Sequence, residues 1–106
     1  MIWYLEPSFR NMVNWKWYRE PCTNALFMHL LLIANRKDNI VDGISVKTGS
    51  VLITLQDLSS GSGVPKKHIK SSLEKLLSTN DISITDLHEK GNIITIVEWD
   101  KYTFAH

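Results

Sequence analysis

Residues 54–77, TLQDLSSGSGVPKKHIKSSLEKLL, divide into two helical patterns around a glycine-bearing turn. Thr54 followed by Asp57 has the form of a capping box, with Asp in place of the usual Glu or Gln. Leu55 and Leu58 then give a helix of about two turns that ends at Ser59 to Gly61. Gly61 and Gly63 flank Ser62 and suit a sharp turn that needs positive φ. Pro65 opens the second helix at its first turn, where a missing N–H costs nothing. Inside that helix Ile69, Leu73, Leu76 and Leu77 fall at i, i+4, i+7 and i+8, which makes one buried face. Lys66, Lys67, Lys70, Ser71, Glu74 and Lys75 are left to point outward. A short helix, a tight turn and a longer basic helix are the helix-turn-helix pattern, here over 54–79, with 65–79 as its second, recognition helix.

Downstream the period changes from helix to strand. Ile82-Ser83-Ile84-Thr85 and Ile93-Ile94-Thr95-Ile96-Val97 read as two strands, joined by a polar loop that closes on Gly91-Asn92. A hairpin over 82–97 directly behind a recognition helix is a wing, so the expected fold is α+β, a winged helix-turn-helix. Upstream, Ile44 and Val46 alternate with Ser45 and Lys47, Thr48-Gly49 supplies a turn, and Val51-Leu52-Ile53 reads as an apolar strand. These predict a hairpin or an extended pair. Before them a helix is predicted from about Thr23 to Asn35, with Thr23 or Asn24 as its cap. Leu26, Phe27, Leu30, Leu31 and Ala34 form its stripe, widened by Leu32 and Ile33.

An aromatic extension over 1–20 opens the chain, and the tail after Glu98 is expected to pack Trp99 and Tyr102 back onto the body. The aromatics of the extension suit a lid over the helices. Left exposed, Trp3, Tyr4, Trp15 and Trp17 would instead form a partner surface.

At 106 residues the chain is expected to form a single domain that buries roughly 65% of its unfolded surface. The overall charge is only +1, but its distribution is uneven. Residues 65–77 hold four lysines against one glutamate, and residues 78–106 hold two lysines against five acids. A basic helix on a nearly neutral body is a local electrostatic footprint. The single cysteine, Cys22, has no partner for an internal disulfide, so a reducing cytoplasm is the expected setting. No secretory signal opens the sequence, and no apolar run approaches the roughly 20 residues that span a bilayer.

Chemistry other than binding has little to stand on. His29, His68, His88 and His106 are scattered, and one cysteine gives no zinc spacing, so neither a metal nor a cofactor is expected. The run Ser59-Ser60-Gly61-Ser62-Gly63 lacks both the G-x-S-x-G spacing of a nucleophile elbow and the G-K-[ST] of a P-loop. No enzyme is expected. DNA contact would instead run through Lys66, Lys67 and Lys70 at the front of the recognition helix, with Ser71 and Lys75 behind them and Lys90 in the wing loop. The plainer reading of these lysines is a solvated helix face.

Several stretches together resemble a known family. These are Trp15-Lys16-Trp17-Tyr18, Pro21, Leu26-Phe27, and Leu30 to Asn35. They continue through Gly43-Ile44, Lys47-Thr48-Gly49, the 55–76 helix pair, and Ile93 to Val97 before Tyr102. The chain is similar, over nearly its whole length, to the amino-terminal domain of DnaD-like replisome organisers, which include phage replication-initiation proteins. The resemblance implies a winged helix that helps to load replication machinery on duplex DNA. It also implies self-association, a dimer included, or contact with other replication proteins, in place of direct readout of bases. Family members commonly carry a small polar residue where this chain has Pro65, and many continue into a second, DNA-binding domain.

Overall fold

Residues 11–102 are described by a computed structural model, and the first α-helix in it opens on a proline. After a 3-10 turn at Asn11–Asn14, α1 spans Pro21–Ile33. Proline's fixed φ and missing N–H suit the first helical position, so the capping position falls on Glu20, whose side chain makes no capping bond. The start is therefore two residues earlier than predicted. Thr23 lies inside the helix and is fully buried, and Asn24 Nδ2 donates to the Tyr18 carbonyl at 2.8 Å instead of capping.

Thr23, Leu26, Phe27, Leu30 and Leu31 form the buried face of α1, with Ala34 just beyond it. Leu32 is 74% exposed, which corrects the widened stripe: it sits about a hundred degrees of rotation off the covered face. The helix ends where Ala34 turns extended. Asn35 N–H then donates to Ser50 O, and Gly49 N–H donates to Asn35 O.

The next strands pair differently from the prediction. β1 (Asn39–Val41) and β2 (Ile44–Val46) form a hairpin closed by Asp42-Gly43, both with positive φ (50° and 77°). Two such residues match the primed turns that suit strand twist. β3 (Ser50–Ile53) does not join that hairpin. Asp38 closes the hairpin's base by accepting from the Thr48 N–H and hydroxyl at 2.9 and 3.0 Å, first the backbone and then the side-chain bond holding its carboxyl below the ordinary value.

α2 spans Leu55–Ser62 and α3 spans Lys66–Ser78, joined by Gly63-Val64-Pro65. Thr54 Oγ1 accepts from Asp57 N–H at 3.1 Å, as the capping pattern predicts. Only Gly63 has positive φ (78°) in this turn; it terminates α2 in the left-handed region. Gly61 is a helical residue, since α2 runs on past its expected end, and a Cβ there would lie 2.7 Å from His29 Nε2 on α1. Pro65 sits at the capping position of α3, one residue before the helix. The buried face of α3 is Ile69, Ser72, Leu73 and Leu76, while Leu77 is 42% exposed. Ser72 at i+3 replaces Leu77 at i+8, because the stripe facing α1 and α2 is centred on Leu73 and Leu76.

β4 (Ile82–Asp86) and β5 (Asn92–Ile96) come next, joined through a 3-10 turn at His88–Lys90. With β3 they form one antiparallel sheet in the order β3-β5-β4, with Val51 opposite Ile94 and Ile82 opposite Ile96. A last helical turn, α4, spans Trp99–Tyr102. The architecture among the described residues is mixed α+β, with four α-helices and two small antiparallel sheets. Leu26, Phe27, Leu30, Leu58, Ile69, Leu76, Ile82 and Ile94 lie at its centre, between helices and sheet. The tail packs as expected: Tyr102 is buried edge-on to Phe27, with ring centroids 5.6 Å apart.

Candidate nucleic-acid interface

α3 has one buried face, so its other residues are sorted by rotation alone. Lys66, Lys67, His68, Lys70, Ser71 and Glu74 are all exposed along one outer surface. Lys67 and Lys70 make no hydrogen bond or ion pair among the described residues, and Glu74 is the one carboxylate on that surface. Two lysines on adjacent turns of a helix, each with three free donors, suit oxygen-rich anions such as phosphates.

Lys66 is held differently. Its Nζ donates to Gln56 Oε1 on α2 at 3.0 Å, across the turn between the helices. Ser71 Oγ donates to its own helix, to His68 O at 3.2 Å, which leaves its lone pairs to accept. Lys75 stands apart from the other three. Its Nζ lies 2.7 Å from Glu20 Oε1 and 5.9 Å from the Trp17 ring centroid, on the half-buried flank of α3. With more than a third of each side chain exposed, that pair is worth no more than about 1 kcal/mol. It still removes a cation from the basic surface.

Lys90 is exposed in the 3-10 turn between β4 and β5, on a different element from the lysines of α3. Its surroundings are acidic: Glu89 precedes it, and Asp86 accepts from the His88 N–H at 2.7 Å.

Trp3 and Tyr4 lie outside the described residues. Trp15 and Trp17 are half-buried and use their indole N–H groups inside the chain. Trp15 Nε1 donates to Asp81 Oδ2 at 3.0 Å, and Trp17 Nε1 donates to Thr79 Oγ1 at 2.9 Å. Thr79 Oγ1 bonds in turn to the same Asp81 oxygen. Trp15 also packs on Phe27, with ring centroids 5.0 Å apart. The aromatic segment is thereby strapped over the end of α3 and the start of β4.

Gln56 and Glu20 are the two residues that the sequence pattern did not single out. Gln56 sits inside the capping stretch of α2, and Glu20 is 55 residues from Lys75. No periodicity links either to its lysine, because both contacts join different elements. Among the described residues no helix is long and apolar enough to cross a membrane, and no group of three His, Cys, Asp or Glu is placed to hold a metal ion. Comparison of the chain with protein-family models, with curated proteins and with solved structures finds no match.

Proposed function

We propose that the chain is a winged-helix domain that binds duplex DNA, without catalysis, through the outer surface of α3. The element order supports this reading: α1, β3, α2, α3 and the β4–β5 hairpin run in the sequence of a winged helix, with β1–β2 as an added hairpin. The observation that carries it is the pair Lys67 and Lys70, exposed on the face of α3 opposite its core stripe and without protein partners among the described residues. A helix of 13 residues is roughly 20 Å long and about the width that a B-DNA major groove admits. Phosphates would meet Lys66, Lys67 and Lys70, while Ser71 accepts at a base edge or sugar. Lys75 contributes least, since its bond to Glu20 must first be given up.

A role beside replication machinery rests on the resemblance of the sequence alone. The rival reading, a dimerisation or scaffold module built on the aromatic extension, loses support from Trp15 and Trp17, whose polar ends are already occupied within the chain.

Fluorescence anisotropy with labelled duplex DNA at several salt concentrations tests the reading. Binding is expected to weaken with a log–log slope of about −0.9 for each phosphate neutralised. Replacing Lys67 and Lys70 together by Glu is expected to abolish binding at physiological salt while leaving the fold intact, because both are exposed. Unchanged affinity in that double variant overturns the proposal.

A further inference from the structure

We infer that Gln56, on α2, is a DNA-contacting residue that shares one phosphate with Lys66. This inference rests on the reading of α3 as a DNA-binding helix. Lys66 Nζ and Gln56 Oε1 lie 3.0 Å apart, and both residues are exposed, Gln56 in the first turn of α2 and Lys66 at the start of α3. A lysine ammonium has donors only, so the amide atom facing it is the oxygen. That contact fixes the amide orientation without reference to any other neighbour, and it sends the Gln56 Nε2 hydrogens away from the ammonium. The pair therefore keeps two N–H donors on Lys66 and two on Gln56 that no bond among the described residues uses, both on exposed side chains.

A phosphate oxygen pair is the ligand such a cluster fits. The ammonium supplies the charge and the amide supplies a neutral donor of fixed direction. Gln56 does a second thing for this site. It holds the long Lys66 side chain in one place before DNA arrives, which lowers the ordering cost that a free surface lysine bears on binding. Asp57, the next residue on α2, is also exposed, and its backbone N–H donates to Thr54 Oγ1.

The test is a set of duplex-DNA titrations by anisotropy on the full chain, comparing Gln56→Ala, Lys66→Ala and the double variant. Gln56 is exposed, so its removal leaves the fold in place, which circular dichroism verifies. Gln56→Ala is expected to weaken binding about tenfold, the size of one hydrogen bond to a charged group. Its salt slope is expected to stay at the parent value, since no cation is lost. Lys66→Ala is expected to reduce that slope by about 0.9. In the Lys66→Ala background, Gln56→Ala is still expected to cost affinity, because its own amide meets the phosphate. A cost present only when Lys66 is present would make Gln56 a positioning residue and overturn the contact. Parent-like binding by Gln56→Ala, with binding abolished by the Lys67→Glu, Lys70→Glu double variant, overturns this inference and leaves the proposed function standing. Parent-like binding by that double variant overturns both.

Discussion

Thr23 is fully buried in α1, and its hydroxyl is a buried oxygen without a hydrogen-bond partner among the described residues. A hydroxyl taken out of water and left unpaired costs more than an apolar group of the same shape. Thr23→Val keeps the branched shape and removes the unpaired oxygen. It is expected to raise stability by about 1 kcal/mol, read as a higher urea midpoint with an unchanged slope; a lower midpoint refutes the assignment. Threonine ahead of an apolar stripe reads as a helix cap in sequence, and Pro21 moves that cap upstream to Glu20. Residues after Pro21 are inside the helix whatever their capping preference.

Among the elements, α2 and α3 depend on how the chain leaves the first and enters the second. Serines satisfy the polar groups of that turn: Ser59 Oγ donates to Val64 O at 2.7 Å, Ser62 Oγ donates to Leu58 O at 2.6 Å, and Val64 N–H donates to Ser62 Oγ. The serine-rich run is accounted for by these bonds. Gly63 carries the left-handed residue of the turn, with φ of 78° and open space around it. Gly63→Ala is expected to cost about 1 kcal/mol from backbone strain alone, seen as a lower midpoint in thermal unfolding. No loss in that variant would mean that the turn relaxes elsewhere. The helix pair was legible because its signals are local: a cap, a glycine, a proline and a stripe. The pairing of β3 was not. Val51-Leu52-Ile53 sits close in sequence to Ile44 and Val46, yet its partner is Asn92–Ile96, some 40 residues on. The Asp42-Gly43 turn that gives β2 its true partner is present in the sequence as a two-residue hairpin signal.

Across the whole molecule, the aromatic segment before α1 and the turn at α4 converge on one ring. Trp15 and Tyr102 both pack against Phe27, so chain positions 15 and 102 meet at the centre of α1. Burial, helped by the Asp81 and Glu98 charges, raises the Tyr102 hydroxyl above its ordinary value. A folded-state value above the unfolded one means that its contribution is complete below the unfolded value near 10 and is lost as pH rises through the folded value. Thermal stability is therefore expected to fall on the alkaline side of about pH 10. Tyr102→Phe keeps the ring packing and is expected to flatten that limb in a melting series. An equally steep limb in the variant would assign the alkaline loss to other groups. The same long-range assembly takes Lys75 out of the basic surface, since Glu20 and Trp17 reach it only after the aromatic segment folds over α3.

By itself the sequence determined the types of α1, α2, α3, β2, β3, β4 and β5, the helix-turn-helix signals, the hairpin at 82–97 and which side of α3 is basic. Each depends on residues within one or two turns of one another, where spacing alone decides what is buried and what is exposed. Tertiary structure alone decided the partner of β3, the exposure of Leu32 and Leu77, the strapping of Trp15 and Trp17, and the separation of Lys75 from Lys67 and Lys70. Those outcomes depend on which elements come to lie against each other across tens of residues of chain, and no local period encodes that choice.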